Sequence, residues 1–419
     1  MISQELIKLT VHKHKRNIHQ GMAKLSNLEV PVSGALGDPR WTSDLILSTY
    51  FMARTGKLPP SNLNYKTGNS KGGFDLLDFK VGGNFKENVD ESYDLSIKLN
   101  GRRERPDITI DIPTYGGGMS LGSVSLNFMV SRAIAAKRLN SFTCTGEGGY
   151  PDGLLPYKDH VITQIATGMF GVREETVQNA PIVEFKYAQG AKPGLGGHLL
   201  ADKVTADVAK IRESSANTSL YSPFPFHSVY SVEDHKKHVD WVRTMNRKAL
   251  VSVKVSTPRD VEMVAIGSYY AGANIIHIDG GYGGTGAAPQ IAKKNIAMPI
   301  EYAIPIVHKY LEEEGVRNEI TLIASGGIRT GYDVAKAIAL GADGAVIGTA
   351  EGVAVGCTHC GNCESGRGCQ VGIATSDPQL SQFIDPEWGS QQIVNMYSAC
   401  WAARLAPIIQ ESVARVNAA

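Results

Sequence analysis

The feature that most constrains the fold is a repeating texture that begins near residue 106. Short apolar runs recur at 108–112, 141–145, 182–187, 250–255, 274–279, 321–325 and 344–348, with a weaker run at 219–222. Each is followed by Gly, Ser or Thr and then by a stretch with helical spacing. A strand buried on both faces reads as a continuous apolar run, and alternation with helices marks parallel β/α units. Such runs, spread over about 250 residues, predict an α/β fold of the (β/α)8 TIM-barrel type with its active face at the C-terminal strand ends. An open, doubly wound sheet satisfies the same periodicity and is the alternative. Three regions follow: an N-terminal α+β cap at 1–105, a barrel at 106–385 that includes a cysteine loop at 357–369, and a C-terminal helical tail at 386–419. The tail is amphipathic through Ile393, Val394, Met396, Tyr397 and Trp401.

Charge and cysteine usage exclude several classes. With 42 basic and 41 acidic residues the net charge is +1, so neither nucleic acid nor an acidic membrane is expected as a partner. No segment has the 18 or more apolar residues of a membrane span, and the basic N-terminus lacks the apolar core of a secretory signal. A cytoplasmic protein is expected. Four of the six cysteines fall between Cys357 and Cys369. Clustered cysteines without a secretion signal favour metal or iron–sulfur ligation over disulfides.

The candidate chemistry lies just after the predicted strands. The turn Ser325-Gly326-Gly327-Ile328 and the segment Gly348-Thr349 both lead into helices. There bare backbone amides and the positive helix end favour a phosphate, and the corresponding loops of barrels recurrently hold one. Two such loops in adjacent units predict a phosphate-bearing cofactor or substrate; tight-turn glycines alone are the plainer alternative. Lys254 closes an apolar run, where a cation is costly without a negative partner. At the barrel mouth it would face a reduced flavin ring or a substrate carboxylate. The glycine-rich run at 280–286 can press backbone against a ligand. Cys357, Cys360, Cys363 and Cys369, spaced x2, x2 and x5, suit an iron–sulfur cluster or zinc.

In order along the chain stand GGMSLGSVS (117–125), TGEGG (145–149), AQGAKPGLGG (188–197), KVTADVAKIR (203–212), VSVK (251–254), GGTGAAP (283–289), SGGIRTGYDV (325–334) and VGIATSDP (371–378). This ordered set resembles the FMN-binding synthase domain of glutamate synthases over roughly 105–380. The resemblance implies a (β/α)8 barrel carrying FMN and an iron–sulfur cluster, with 2-oxoglutarate and ammonia entering as an imine that is reduced to glutamate. By motif position Met119, Ser120, Gly122 and Lys254 would line the flavin, and Gly326, Gly327, Gly348 and Thr349 would hold its phosphate. Glu147, Lys192 and Lys254 would be catalytic. Gln189, Lys192, His198, Arg212 and Asp279 would surround the oxo acid, with Arg212 able to bind a carboxylate bidentately.

The sequence also departs from that pattern. The thiol spacing has one extra residue and Cys360 is additional, which leaves [3Fe–4S] favoured and [4Fe–4S] open on Cys357, Cys360, Cys363 and Cys369. His198, Leu195, Asp279 and Tyr282 differ from the residues usual at their positions. Residue two is Ile rather than Cys, and no GxGxxG-type nucleotide-binding fold is expected. The chain is therefore similar to the large subunit of N-methylglutamate synthase, which joins methylamine to glutamate beside separate amidotransferase-like and glycine-rich-repeat subunits in a hetero-oligomer. That reading is slightly favoured; a split glutamate synthase, or an electron-relay subunit without turnover, is the alternative.

Overall fold

The computed structural model describes residues 37–38, 40–60, 70, 72–79, 94–102, 106–192, 197–283, 288, 290–361, 363 and 369–401. Strands β1 (Ile97–Lys98) and β2 (Thr109–Ile110) form a short antiparallel hairpin. Eight parallel strands follow: β3 (Thr114–Gly116), β4 (Thr143–Cys144), β5 (Val161–Ala166), β6 (Ile182–Lys186), β7 (Leu250–Ser256), β8 (Ile275–Asp279), β9 (Thr321–Ser325) and β10 (Gly344–Ile347). Their order is β3-β10-β9-β8-β7-β6-β5-β4. The remaining gap is bridged by parallel pairing of Gly118 with Cys144 and by the Gly116 amide donating to the Phe142 carbonyl at 2.8 Å. The sheet therefore closes as a (β/α)8 barrel, and the open doubly wound alternative is set aside.

Side chains of a strand alternate between faces, so every second residue enters the barrel. This period sorts the interior into layers. Phe142, Ile162, Ile182, Leu250, Ile275 and Ile323 form an apolar floor, sealed from below by Leu99 and Ile110 of the hairpin region. Two residues further along the same strands stand Cys144, Gln164, Glu184, Ser252, His277 and Ser325, all buried. Two more bring Lys186, Lys254 and Asp279 to the mouth. The intervening residues, such as Val253, Val255, Ile276, Ile278, Leu322 and Ala324, face outward. They pack under helices through Val261, Ala265, Ile300, Ile304 and Val307.

Two expected strands need correction, and two barrel strands, β3 and β5, were not foreseen. The run at 108–112 is not a barrel strand: it contributes β2, and its apolarity comes from plugging the floor. The weak run at 219–222 supplies only an isolated antiparallel bridge between Leu220 and Leu199. The strand in its place is β5, which the sequence reading passed over. Its Gln164 faces the polar layer and interrupts the apolar run, donating to Glu184 Oε1 at 2.7 Å.

Helices Ser43–Thr55 and Pro386–Cys400 pack together, and the second also packs on Leu126–Arg138. Asn395 Nδ2 donates to the Ala53 carbonyl at 2.9 Å, and Arg138 pairs with Glu387 at 2.6 Å. Asp385 caps the terminal helix by accepting from the Trp388 amide. This clasp leads residues 37–41 toward the cysteine loop, where the Gly37 amide donates to the Thr358 carbonyl at 2.9 Å. The first 36 residues of the expected N-terminal cap lie outside the described residues, as does the tail beyond Trp401. Among the described residues no helix is long and apolar enough to cross a membrane.

Candidate cofactor and substrate site

The strand ends of β7 to β10 open into a cavity of about 430 Å³, within the usual range for small-molecule sites. Gly117, Gly118 and Met119 line one side, Lys254, Asp279 and Tyr282 another, and Ser325, Gly326, Gly327, Gly348 and Thr349 a third. Gly326 has φ +103°, and a Cβ there would come 2.6 Å from the Gly280 carbonyl oxygen. Only glycine fits so close a backbone approach. Asp38, Arg40, Trp41 and His359 complete the wall. Arg40 stacks over the Tyr282 ring at 4.0 Å, and His359 pairs with Asp38 at 2.7 Å. Arg329, behind the glycine turn, binds Asp75 and Asp333 and so ties the N-terminal segment to this loop.

Lys254 Nζ lies 3.4 Å from Asp279 Oδ2. Burial opposes its charge, but Asp279 and Glu184 outweigh that and raise its pKa above the ordinary lysine value. Burial likewise opposes the Asp279 carboxylate, yet Lys254 and His277 hold it below its ordinary range. Asp279 Oδ2 also accepts from the Gly190 amide at 3.0 Å. One carboxylate thus joins this cavity to the loop after β6.

That loop opens onto a second group. Lys186 Nζ contacts Glu147 Oε1 at 2.8 Å and Gln189 Oε1 at 2.6 Å. Arg212 donates to Ser120 Oγ at 2.9 Å and to the Gly197 carbonyl at 3.0 Å, while its Nε is buried without an acceptor. Burial would raise the Glu147 carboxyl, but Lys186, the Gly197 amide and Lys192 together hold it below the ordinary value. Lys192 is lowered by burial and by Lys186 and Arg212, against the pull of Glu147. Three cations around one carboxylate leave an excess of two positive charges. The three cations and the carboxylate are all largely withdrawn from solvent.

The structure therefore brings together Met119, Lys254, Asp279, Gly326, Gly327, Gly348 and Thr349 in one group, and Ser120, Glu147, Gln189, Lys192 and Arg212 in the next. Gly122 does not reach the cavity wall: a Cβ there would meet Leu199 and Val208. His198 sets its ring edge against Tyr221 at 5.4 Å. Lys186 and the Glu184–His277–Ser325 chain were not singled out from the sequence. Their signal was available: charged residues at alternating positions inside otherwise apolar strands.

Cys357, Cys360, Cys363 and Cys369 carry free thiols. Burial pushes the Cys357 thiol up to about 12, and the other three thiols of the loop add to this, so all four are within electrostatic reach. Among the described residues no three or more His, Cys, Asp or Glu side chains are set to hold a metal ion. Residues 362 and 364–368 of this loop lie outside the described residues.

Comparison with known proteins supplies the deciding observation: residues 80–414 match the model of a conserved region in glutamate synthase. The chain belongs to the glutamate synthase family. The archaeal glutamate synthase [NADPH] of Methanocaldococcus jannaschii is 46% identical over 295 residues, covering 70% of this chain and 58% of that protein. The archaeal-type glutamate synthase [NADPH] of Thermotoga maritima is 41% identical over 325 residues, 77% of this chain and 64% of that protein. The glutamate synthase [NADPH] large chain of Azospirillum brasilense is 36% identical over 288 residues, 67% of this chain and 19% of that protein. The chain thus spans about three-fifths of the archaeal-type relatives and a smaller part of the large chain.

Proposed function

We propose that this chain is a glutamate-synthase-type catalytic subunit that binds FMN in the glycine-lined cavity and reduces a 2-oxoglutarate-derived imine in the adjoining cationic group. The observation that carries the reading is the pairing of the two groups through Asp279. One side is a cavity with a buried cation and bare glycine turns. The other holds two surplus positive charges, which match the two carboxylates of 2-oxoglutarate.

The cavity fits FMN on its own features. Gly326, Gly327 and Gly348 would cradle the phosphate with backbone, Thr349 would add its hydroxyl, and Lys254 would face the ring beside Met119. When bound, FMN supplies the two electrons and one proton that convert the imine carbon to the amine-bearing carbon. Lys254 would stabilise negative charge on the reduced ring. Arg212, with its unpartnered buried Nε, and Lys192 would grip the carboxylates, since a buried donor left unpaired costs about 1–3 kcal/mol. Glu147, held ionised by Lys186, would accept and return the nitrogen-bound protons as water leaves and the imine forms. Gln189 would orient beside it through Lys186. The thiols of Cys357, Cys360, Cys363 and Cys369 are the donor type of an iron–sulfur centre, which would pass single electrons, and holding one would require them to draw closer than they stand here. An amidotransferase-like partner would provide the amine.

The named relatives all carry the printed name glutamate synthase, which supports ammonia as the amine. Methylamine, with N-methylglutamate as product, is the second reading. Asp279 and Tyr282 on the cavity wall favour it, because they alter the mouth where the amine must enter. The intact Glu147–Lys186–Arg212 group speaks against a subunit without turnover. A panel of ammonia or methylamine with 2-oxoglutarate or glutamate, products read by mass, tests all three. Glutamate alone supports the first reading and N-methylglutamate alone the second. No product with bound, reducible FMN would contradict both.

A further inference from the structure

From the layer below the mouth up to Asp279 at the mouth, six polar groups form a continuous branched chain of hydrogen bonds. Glu184 accepts from Gln164 Nε2 at 2.7 Å and from Ser252 Oγ at 3.0 Å. Its Oε2 lies 3.1 Å from His277 Nδ1. On the other side of the ring, His277 Nε2 lies 2.7 Å from Ser325 Oγ. Ser325 Oγ donates to Asp279 Oδ1 at 2.5 Å. His277, Glu184 and Asp279 are each no more than 2% exposed.

Counting protons along this chain decides the state of the ring. A serine hydroxyl has one proton, and here it is given to Asp279. Ser325 Oγ can then only accept from His277, so Nε2 carries a proton. Nδ1 faces a carboxylate that already accepts two other donors, so it carries a proton as well. A neutral ring has one proton: on Nδ1 it would leave Ser325 donating to Nε2 with a bare serine oxygen against the Asp279 carboxylate, and on Nε2 it would leave a bare Nδ1 against the Glu184 carboxylate. We infer that His277 is a positioning residue, an imidazolium with both nitrogens protonated, which holds Asp279 ionised and thereby fixes Lys254 and the Gly190 amide at the junction of the two groups.

The surroundings agree with that charge. The groups facing the ring are Glu184 from β6, Ser252 and Lys254 from β7, Asp279 from β8 itself and Ser325 from β9. Cys144 from β4 and Tyr115 from β3 stand nearer Glu184. Burial pushes the Cys144 thiol up to about 12 and raises Tyr115 well above its ordinary value, so both stay neutral. His277 and Lys254 then balance Glu184 and Asp279. Removing the ring's charge leaves the set with one net negative charge beneath the cofactor cavity.

The charge state needs no cofactor; its use in positioning the flavin rests on the proposed function. The test is nitrogen NMR on the full chain with 15N-labelled histidine, free of flavin and loaded with FMN. His277 is assigned by loss of its signals in His277→Gln, or by their shift in Ser325→Ala should the first variant fail to fold. Both nitrogens should be protonated at neutral pH, each showing a one-bond N–H coupling. A ring with one bare nitrogen there would overturn the inference, whatever the flavin does. In the loaded protein, His277→Gln should weaken the preference for reduced flavin about tenfold, a fall of about 30 mV. An unchanged potential with FMN bound would overturn the positioning role. Failure of FMN to bind the unaltered chain would instead overturn the proposed function and leave the ring measurement standing.

Discussion

Lys186→Met is the most informative perturbation of the cationic group. Lys186 contacts Glu147 at 2.8 Å and Gln189 at 2.6 Å, with only 6% of its side chain exposed. Methionine keeps the apolar stem and deletes the charge. Removing one partner of a buried ion pair costs about 3–5 kcal/mol, because the other charge is left uncompensated. Lys192 and the Gly197 amide still support Glu147, so the loss should lie near the low end, about 3 kcal/mol. Adding Glu147→Gln removes the stranded charge, and the double variant should recover about 1–3 kcal/mol relative to the sum of the singles. The pH dependence has a definite sign. A carboxyl depressed in the folded state adds stability above its ordinary value of 4.5 and loses it as pH falls. Lys186→Met weakens that depression, so the gap between wild type and variant should be widest near neutrality and close on acidification. Urea unfolding of flavin-free protein at a series of pH values reads all of this. A Lys186→Met loss within about 0.5 kcal/mol, the scale of ordinary surface changes, with strict additivity in the double variant, would refute the reasoning.

Three further outcomes are expected. Burial works against the Glu184 carboxylate, but His277, Lys254 and Gln164 hold its pKa at about 2 against an ordinary 4.5. It should therefore contribute about 3 kcal/mol above the higher value and lose it progressively toward the lower, and acid titration of stability should be flatter over that window in Glu184→Gln. Gly326→Ala forces a Cβ to 2.6 Å from the Gly280 carbonyl at φ +103° and should cost about 1–3 kcal/mol. Gly327→Ala, with nothing nearer than 4.0 Å, should cost less in the same thermal melts. Arg212→Lys gives up the fork that spans Ser120 Oγ and the Gly197 carbonyl, and should raise the oxo-acid KM about tenfold while changing kcat less.

Much of the barrel was legible because parallel strands buried on both faces must be apolar over several consecutive residues. β6 to β10 were visible for that reason. The misreadings share a cause: apolar runs report burial, not the element that is buried. The hairpin plug at 97–110 is as apolar as a strand because Ile110 fills the floor, whereas β5 is hidden because Gln164 must meet Glu184. The glycine loops and Lys254 were legible because the chemistry they serve restricts residue type. Lys186 and His277 were not, because a polar residue inside a strand acquires meaning only once the barrel closes and shows what stands across from it. Asp38, Arg40 and Trp41 reach the cavity from a segment far ahead of the barrel strands in sequence, and no local pattern announces that approach.

The central claim is that the glycine-lined mouth holds FMN against Lys254. Equilibrium titration of flavin-depleted chain with FMN and with riboflavin, for wild type and Lys254→Met, tests it most directly. The account predicts one FMN per chain, much weaker binding of the phosphate-free flavin, and a lower reduction potential in Lys254→Met. Equal affinity for the two flavins, or no flavin binding by a folded chain, would contradict it.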